Sequence, residues 1–439
     1  MKKIATALLA LSLTPSLWAA CPTGTALLGN VDGKEACALK GTYTSNLLLT
    51  SDKLWVLQGG VFVGNDNKQN SVLTIQPGSK IIGQSGADFL VITRGSQIRA
   101  EGTADRPIVF TAAKTEGRTS GSWGGLILNG NAPINSCKNT TSICEAEGEG
   151  STGFYGGNNV ADNSGVLKYV RVEFAGYQIT PDNELNGIAF QGVGNGTIVD
   201  YVQVHKNADD GVEFFGGTVN VKHLVLTGNQ DDSLDWTSGW TGKVQFVMIE
   251  QYSDEADSGF EADNLSSPMN AEPRSNPEIS NVTLIGSGKA GAKGGYGMML
   301  RKGTGAIIQN AIVTNFKKSC IDIDDNETFS YGGVLTTSGT VDARGLIMKN
   351  SLIDCSKSST NFQAVENNEP WAIETWFVNQ EGNKQTDPML NGWIPAVGSP
   401  AIGTGVTPDD LFFDEVDFIG AIRDQANDWT AGWTTQAAQ

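Results

Sequence analysis

The chain has 439 residues and a formal net charge of −18 at pH 7, with 48 acidic against 30 basic side chains. A surface of that sign repels nucleic acid and anionic membranes and attracts divalent cations, so we expect no nucleic-acid partner. With 54 glycines, 18% charged residues and little helical patterning, the composition favours a β-rich repeat protein, which grows coil by coil instead of dividing into domains of about 150 residues.

Residues 1–20 have the pattern of a signal peptide. Two lysines precede an apolar run from Ile4 to Leu13, and small residues follow just before Cys21. The run is shorter than the ~20 residues that span a bilayer, and no comparable run follows, so we predict export without a transmembrane span. Two outcomes stay open: cleavage to a soluble extracellular or periplasmic chain, or lipidation of Cys21 and anchoring at the cell surface in the outer membrane. Trp18 stands where a lipoprotein signal usually has Leu, which favours the soluble chain.

Six cysteines in an exported chain predict disulfides. On proximity in sequence, we predict the bridges Cys21–Cys37, Cys137–Cys144 and Cys320–Cys355. The even number also favours a soluble chain, because a lipid on Cys21 leaves Cys37 without a partner.

The middle of the chain repeats at about one coil of a β-solenoid. Residues 187–191, 211–215, 233–237 and 259–263 align at steps of 24, 22 and 26 residues, and β-rich stretches lie between them. Apolar residues alternate within each segment, as Val212 and Phe214 do, which predicts one buried face. Looser rungs of the same kind occur between residues 54 and 111. Short strands with Gly and Asn turns at this period predict a parallel β-helix, since the strands of a sandwich recur every 8–12 residues.

Several phrases resemble a known group of proteins. LTIQPGSKI at residues 73–81 and AEGTADRPIVFT at residues 100–111 resemble rungs of secreted right-handed β-helix proteins of the pectate-lyase-like superfamily. NADDGVEFFGGTVN at residues 207–220 is similar to a phrase in a widespread group of largely uncharacterised exported proteins and lipoproteins of bacterial outer surfaces. The resemblance implies a right-handed, single-stranded parallel β-helix over residues 21–385, and it implies no agreed activity.

Two segments interrupt the repeat, and one follows it. Residues 137–165 and about 263–277 are rich in turn-forming residues and are predicted to be loop excursions. The segment 386–439 is rich in Pro, Gly and Trp, and it is predicted to cap the open end of the solenoid. An uncapped end exposes unpaired strand edges to solvent.

Acidic residues recur at one outward position of the repeat. Glu213, Asp235 and Glu261 occupy it on successive coils, and turns with further carboxylates precede them. Carboxylates stacked ~4.8 Å apart repel by about 3–4 kcal/mol at an effective dielectric near 20, so something must offset the repulsion. A Ca²⁺ ion, which takes six to eight oxygen ligands, is one candidate. The predicted Ca²⁺ ligands are Asp209, Asp210, Asp231, Asp232, Asp257 and Asp263.

Three interpretations of these acids stay open. They form a solvated face without a ligand, a face that binds Ca²⁺ or a glycan, or a catalytic cleft. In the last, Glu213, Asp235 and Glu261 act as acid, nucleophile or base, since carboxyls ~5 Å apart suit retaining glycosidases and those near ~9 Å suit inverting ones. Candidate substrate contacts are Arg301, Lys302 and Trp240.

We therefore predict an exported surface or periplasmic β-helix protein whose acidic face binds Ca²⁺, a glycan or another surface protein. The alternative is a polysaccharide hydrolase or lyase that uses the stacked carboxylates. The Gly-His-Gly and Arg-Ile-Lys phrases that accompany the paired aspartates of polygalacturonases do not occur in the chain. No cofactor other than Ca²⁺ is expected.

Overall fold

In the part of the chain that the structure describes, twenty-six strands form one continuous sheet that winds round a common axis. The structure is a computed structural model, and it describes residues 21–137, 143–180, 183–252, 256–288, 295–366 and 369–435. The predicted signal peptide, residues 1–20, lies outside the described residues. Neighbouring strands of the sheet are parallel except β1 and β2, which form an antiparallel hairpin at the N-terminal end. The strands up to residue 129 are β1 (Ala26–Val31), β2 (Lys34–Tyr43), β3 (Leu47–Leu49), β4 (Lys53–Val63), β5 (Val72–Ile75), β6 (Lys80–Gly83), β7 (Phe89–Ile92), β8 (Gln97–Glu101), β9 (Ile108–Ala112) and β10 (Gly125–Asn129).

The remaining strands continue the winding and add four short hairpins. Those up to residue 285 are β11 (Ala146–Glu147), β12 (Phe154–Tyr155), β13 (Gly165–Glu173), β14 (Gln178–Thr180), β15 (Asn183–Glu184), β16 (Ile188–Gln191), β17 (Ile198–His205), β18 (Val212–Phe215), β19 (Asn220–Thr227), β20 (Leu234–Thr237), β21 (Lys243–Glu250), β22 (Ser258–Ala262) and β23 (Glu278–Ile285). Those that follow are β24 (Tyr296–Leu300), β25 (Ala306–Thr314), β26 (Ser319–Ile323), β27 (Gly333–Leu335), β28 (Val341–Ala343), β29 (Leu346–Lys349), β30 (Leu352–Asp354), β31 (Thr360–Phe362), β32 (Lys384–Gln385), β33 (Leu390–Asn391) and β34 (Ile394–Pro395). Helices are α1 (Asn326–Gly332) and α2 (Ile373–Val378), with single 3-10 turns at Glu149–Ser151 and Gln425–Asn427.

Each central coil contributes one short strand and one long strand. The short strands stack in the order β7, β10, β16, β18, β20, β22, β24, β26 and β31, and we call this stack the front sheet. The long strands stack in the order β13, β17, β19, β21, β23 and β25. This architecture is the predicted right-handed parallel β-helix.

Each long strand bends at one residue with a positive φ between 49° and 64°. At this left-handed residue the chain turns a corner of the coil, and the strand continues in the next sheet. The six residues are Tyr169, Tyr201, His223, Phe246, Asn281 and Asn310. Asn tolerates this conformation, whereas the bulky rings adopt it at a cost that the surrounding structure must offset. We call the four rings of this set the corner ladder.

The interior of the solenoid is a column of apolar side chains. Ile188, Val212 and Leu234 stack on successive coils and are fully buried, as the predicted alternation requires. Burying one such side chain stabilises the fold by about 1.5–3 kcal/mol. Ring stacking adds to this, because the Phe214 ring lies 5.2 Å from that of Phe190 and 4.0 Å from that of Trp240, between centroids.

The three predicted disulfides are confirmed. Cys21–Cys37, Cys137–Cys144 and Cys320–Cys355 have Cα–Cα distances of 5.7, 4.8 and 5.7 Å. The first bond ties the segment that precedes β1 to β2, and the second lies in the segment that follows β10. The third joins two fully buried residues of the core. Among the described helices, none has the length and apolar character to cross a membrane.

The C-terminal tail does not occupy the place that we predicted for it. We expected residues 386–439 to cap the open end of the solenoid, but residues 406–435 lie along its flank. There Trp433 packs edge-on against Tyr169 and Tyr201, and Gln203 exchanges two hydrogen bonds with the backbone of Thr435. The tail lies on the flank because its tryptophans pack against the rings of the corner ladder there. At the C-terminal end of the coil, residues 371–377 instead place the side chains of Trp371, Ile373, Trp376 and Phe377 against the core.

Candidate functional site

The acidic residues of the front sheet stack as the sequence predicts. Glu213 pairs with Asp235, and Asp235 pairs with Glu261, on three successive strands. Ala189 precedes them on β16, while Met299 and Asp322 follow them on β24 and β26. The predicted register of Glu213, Asp235 and Glu261 is therefore confirmed, and the same column extends over six strands.

The turns before these strands bring further carboxylates beside the stack. Asp210 Oδ1 accepts a hydrogen bond of 3.0 Å from the backbone N–H of Asp232, one coil further along. Asp232 Oδ1 in turn accepts one of 2.7 Å from the N–H of Ser258. On the preceding coil the same turn position is Asn186, whose Nδ2 donates to Glu213 Oε2 at 2.6 Å. Each turn carboxylate is thus fixed by the backbone of the next coil.

Stack and turns together form three close groups of carboxylates. Within each group, one oxygen of every member lies within 4.8 Å of the others. The groups are Asp209, Asp210 and Asp231; Asp210, Glu213 and Asp235; and Asp232, Asp235 and Glu261. The last two groups share Asp235, and we call their five residues (Asp210, Glu213, Asp232, Asp235 and Glu261) the acidic cluster.

Asp235 lies at the centre of the acidic cluster. Its residue surface is only 9% exposed, and its buried Oδ1 has no hydrogen-bond partner among the described residues. A buried carboxylate oxygen normally accepts at least one hydrogen bond, and leaving it without a partner costs about 1–3 kcal/mol or more for a charged group. The position is therefore costly as it stands, unless a proton or a cation binds there.

Burial and mutual repulsion raise the pKa of these carboxyls. Burial is the largest cause in four members, whose pKa lies well above the usual range, and neighbouring carboxylates raise it further: Asp210, Glu213, Asp232 and Asp235. Burial also raises the pKa of Glu261, to about 7, although the charge of Arg301 acts in the opposite direction. Both causes disfavour the ionised form of the acidic cluster in the absence of a bound cation.

Among the described basic residues, Arg301 reaches the acidic cluster. The guanidinium of Arg301 is paired with Glu261, and its Nε lies 2.9 Å from Asp263 Oδ1. Lys302 points elsewhere, with its Nζ 3.4 Å from Asp325 Oδ2. Both residues line a cleft of about 370 Å³ beside the cluster, together with Asp324, Asp325, Asn326, Glu327 and Glu369. The two predicted basic residues therefore have different acidic partners, and of the two Arg301 belongs to the site.

The first excursion was predicted at residues 137–165, but in the structure it begins at residue 131. Its described residues, 131–137 and 143–164, cover the front sheet up to the acidic cluster. Val91 and Ile127 occupy the same outward position as Glu213 on earlier coils, and both are buried. Ile134, Ala146 and Tyr155 of the excursion pack on this part of the face. The Tyr155 ring lies 6.1 Å from that of Phe215, between centroids. The outward stack is thus apolar and covered up to Ala189, and it becomes acidic at the next coil.

A second contact joins the two excursions beside the site. Asn135 Nδ2 donates to Asn264 Oδ1 at 2.8 Å and to the carbonyl of Pro273 at 3.0 Å. Asn264 belongs to the second excursion, residues 263–277. The acidic cluster is therefore bordered by the first excursion, by this junction and by Arg301, while the turns with Asp209, Asp231 and Asp257 form its remaining side.

The predicted site residues fall into three groups in the structure. Glu213, Asp235 and Glu261 come together with four of the predicted Ca²⁺ ligands, Asp209, Asp210, Asp231 and Asp232. Asp257 and Asp263 lie outside these close groups. Trp240 was wrongly predicted as a sugar-stacking residue. It is fully buried against Phe214, and its Nε1 donates to the carbonyl of Val219, so it is part of the core.

Two acidic residues near the site were not among the predicted site residues. Glu149 of the first excursion is close enough to Glu213 for its charge to raise the pKa of that carboxyl. Asp322, two coils beyond Glu261, is 3% exposed and its Oδ1 has no partner among the described residues. The register already placed Asp322 in the column, whereas no local signal marks Glu149, because its loop returns to the coil from outside the repeat.

The comparisons with known proteins agree with this architecture. The family model described as the pectate-lyase-like beta helix domain matches residues 41–434. Neither the comparison with curated proteins nor that with solved structures gave a match.

Proposed function

The chain belongs to the pectate-lyase-like β-helix family, and we propose that it is an exported Ca²⁺-binding protein whose acidic cluster holds a glycan or another surface component through the ion. The observation that carries the proposal is Asp235, a buried carboxylate with an unpartnered oxygen between two groups of acids. A cation there offsets both the missing hydrogen bond and the repulsion along the stack.

The chemistry of the donors favours Ca²⁺ over other metal ions. All members of the acidic cluster offer carboxylate oxygens, the hard ligands that Ca²⁺ takes in numbers of six to eight. The two histidines, His205 and His223, lie on other strands, and all six cysteines are in disulfides, so ligands typical of zinc are missing from the described surroundings. Ligand positions that the carboxylates leave open remain for water or for hydroxyl and carboxylate groups of a glycan.

Export and a soluble mature chain belong to the same proposal. Three disulfides suit an oxidising compartment. The bond between Cys21 and Cys37 engages the sulfur that a lipid anchor requires, which supports the soluble chain over the lipoprotein. Mass spectrometry of the mature N-terminus tests this point, because a diacylglyceryl group on Cys21 contradicts it.

Thermal unfolding with Ca²⁺ and with a chelator tests the ion. A ligand that binds only the folded chain stabilises it by about 2.7 kcal/mol at 100 times its Kd, so the midpoint should rise with Ca²⁺. Asp235→Asn should abolish the rise. Asp322→Asn is the matched control, since it removes a buried carboxylate of the same column outside the acidic cluster, and its response to Ca²⁺ should equal that of the wild type. An unchanged wild-type midpoint rejects the proposal.

A second function has one specific observation in its favour. The pKa of Glu261 is about 7, and Asp235 stands on the adjacent strand, ~5 Å away along the stack. A protonated acid beside a second carboxyl at this spacing suits retaining glycoside cleavage. A screen of neutral and acidic polysaccharides, with the wild type and Glu261→Gln, tests it. Product formed by the wild type and lost in the variant supports cleavage, and absence of product from every substrate leaves binding alone.

A further inference from the structure

We infer that the acidic cluster holds two divalent cations, one on each side of Asp235, and that the carboxylate of Asp235 is the ligand they share. The inference rests on the proposed Ca²⁺ binding. It adds the number of ions, the ligands of each and the order in which they bind.

Two groups of three carboxylates define the two positions. We call the first the Glu213 position, formed by Asp210, Glu213 and Asp235, and the second the Glu261 position, formed by Asp232, Asp235 and Glu261. The first lies between β18 and β20, and the second between β20 and β22. Successive strands are ~4.8 Å apart, so the two ions are separated by about one strand spacing. Protein sites that bridge two metal ions with a carboxylate have similar separations, ~3.5–4 Å.

The hydrogen bonds identify the shared ligand. In each of the other four members, one carboxylate oxygen is engaged: Asp210 Oδ1 by Asp232 N–H, Asp232 Oδ1 by Ser258 N–H, Glu213 Oε2 by Asn186, and Glu261 Oε1 by Arg301. Each of the four therefore offers its other oxygen to a single ion, and the carboxyls of Asp232 and Glu261 also lie in hydrogen-bonding contact with each other. Asp235 is different, because its Oδ1 is unpartnered and neither of its oxygens is hydrogen-bonded to a described residue. Its two oxygens can point to the two positions, one to each.

Charge gives an independent reason for two ions. Five ionised carboxylates carry five negative charges, and Arg301, whose guanidinium also pairs with Asp263, offsets at most one of them. At least four negative charges remain, which two divalent cations offset. With a single ion, at least two buried negative charges have no cation to offset them. A nine-tenths buried, unpartnered carboxylate at the centre makes such a half-filled site unfavourable.

The two positions are not equivalent. Arg301 already neutralises part of the charge at the Glu261 position, and it engages an oxygen of Glu261. At the Glu213 position the corresponding partner is the neutral amide of Asn186. We therefore expect the first ion to bind at the Glu213 position with the higher affinity, and the second at the Glu261 position.

Calcium titration of the full mature chain by calorimetry tests the inference. The wild type should bind two ions in two steps. Glu213→Gln should weaken the tight step by about 10-fold or more and keep the second ion, whereas Glu261→Gln should weaken the second step and keep the first. Asp235→Asn should weaken both. Asp322→Asn should bind two ions like the wild type, and circular dichroism checks that each variant is folded.

The outcomes separate this inference from the proposed function. A single ion in the wild type, lost equally in Glu213→Gln and Glu261→Gln, overturns the two-ion site but leaves Ca²⁺ binding intact. Three ions also overturn it, since the turn group that contains Asp209 and Asp231 then binds as well. No ion at all rejects both. If Asp235→Asn does not fold, the two glutamate variants decide alone, because each removes a ligand from one position only.

Discussion

Two columns of side chains run along this solenoid, and they respond to stacking in opposite ways. The corner ladder places Tyr169, Tyr201, His223 and Phe246 on successive coils, with ring centroids 4.5, 4.1 and 4.9 Å apart. The acidic cluster places carboxylates at the same spacing on the front sheet. Register imposes both columns, because each coil repeats the position of the one before. Rings attract one another at this distance, whereas carboxylates repel.

The contrast separates a column of side chains that the fold explains from a column that indicates a ligand. The corner ladder is covered by the tail and supplies its own stabilisation, so the fold is sufficient to explain it. The acidic cluster is destabilising unless something binds, and fold alone gives no reason to keep it. A column of side chains that destabilises the fold is therefore the better candidate for a ligand-binding site.

The largest effect should come from removing the cover of the corner ladder. Trp433 is 1% exposed, lies edge-on to two rings of the ladder, and its carbonyl accepts a hydrogen bond from Arg171. Trp433→Ala should lower the free energy of unfolding by about 3–5 kcal/mol. Chemical unfolding followed by tryptophan fluorescence measures this.

Leu411→Ala serves as the control for the tail, because Leu411 is fully exposed in the same segment. It should change the stability by less than about 0.5 kcal/mol. Equal, small effects of both substitutions contradict the packing of the tail on the flank. Limited proteolysis gives a second readout, since the tail should become susceptible to cleavage in Trp433→Ala and not in Leu411→Ala.

A substitution in the acidic cluster should change the free energy of unfolding in the opposite direction. In chelator, Asp235→Asn should raise the free energy of unfolding by about 2 kcal/mol, because the neutral amide of Asn needs neither the proton nor the cation that a buried carboxylate beside two others at ~4.8 Å requires. In saturating Ca²⁺ the same variant should be less stable than the wild type, since it loses its ions. Thermal unfolding in the two buffers reveals the reversal. A variant that is destabilised in both buffers shows that Asp235 has a structural role instead.

The comparison also shows which features the sequence made predictable. Repeats at 22 to 26 residues aligned Glu213, Asp235 and Glu261, and their strands pair in that register. This prediction is confirmed because, in a solenoid, residues that are one repeat apart in sequence lie next to each other on successive coils. The disulfides followed from proximity for a similar reason.

The features that were missed depend on contacts between distant parts of the chain. Trp433 meets Tyr169 across more than 200 residues, and no local pattern indicates that the tail returns along the flank. Trp240 was a candidate substrate contact, yet its side chain is directed inward onto Phe214. The first excursion likewise covers Val91 and Ile127 from outside the repeat.

A smaller effect should appear as a pH dependence at the edge of the acidic cluster. Burial and the charge of Glu184 raise the pKa of Glu149 to about 7, from an ordinary value of 4.5. The folded state therefore holds this proton more tightly than the unfolded state. Its stabilising contribution is complete below pH ~4.5 and is lost as the pH rises through about 7.

Glu149→Gln should remove this dependence. In chelator at pH 8 the variant should be more stable than the wild type by about 1–2 kcal/mol, and near pH 5 the difference should shrink towards zero. Urea unfolding at the two pH values measures it. Glu381→Gln, at an exposed position far along the chain, is the control and should follow the wild type at both. A constant difference across the range contradicts the assignment to Glu149.

The smallest effect should come from exchanging one ring of the corner ladder for another. His223 stacks between Tyr201 and Phe246, and its Nδ1 lies 2.8 Å from Asp200 Oδ1. His223→Phe keeps the ring and loses only this partly exposed polar contact, so it should cost less than about 1 kcal/mol.

His223→Asn keeps a residue that tolerates the positive φ, as Asn281 shows at the same corner, but it removes the ring. It should cost more, by about 0.5–1.5 kcal/mol. Equal losses in the two variants, measured by urea unfolding, mean that the polar contact holds this column, and the contrast with the acidic cluster then rests on the other rings alone.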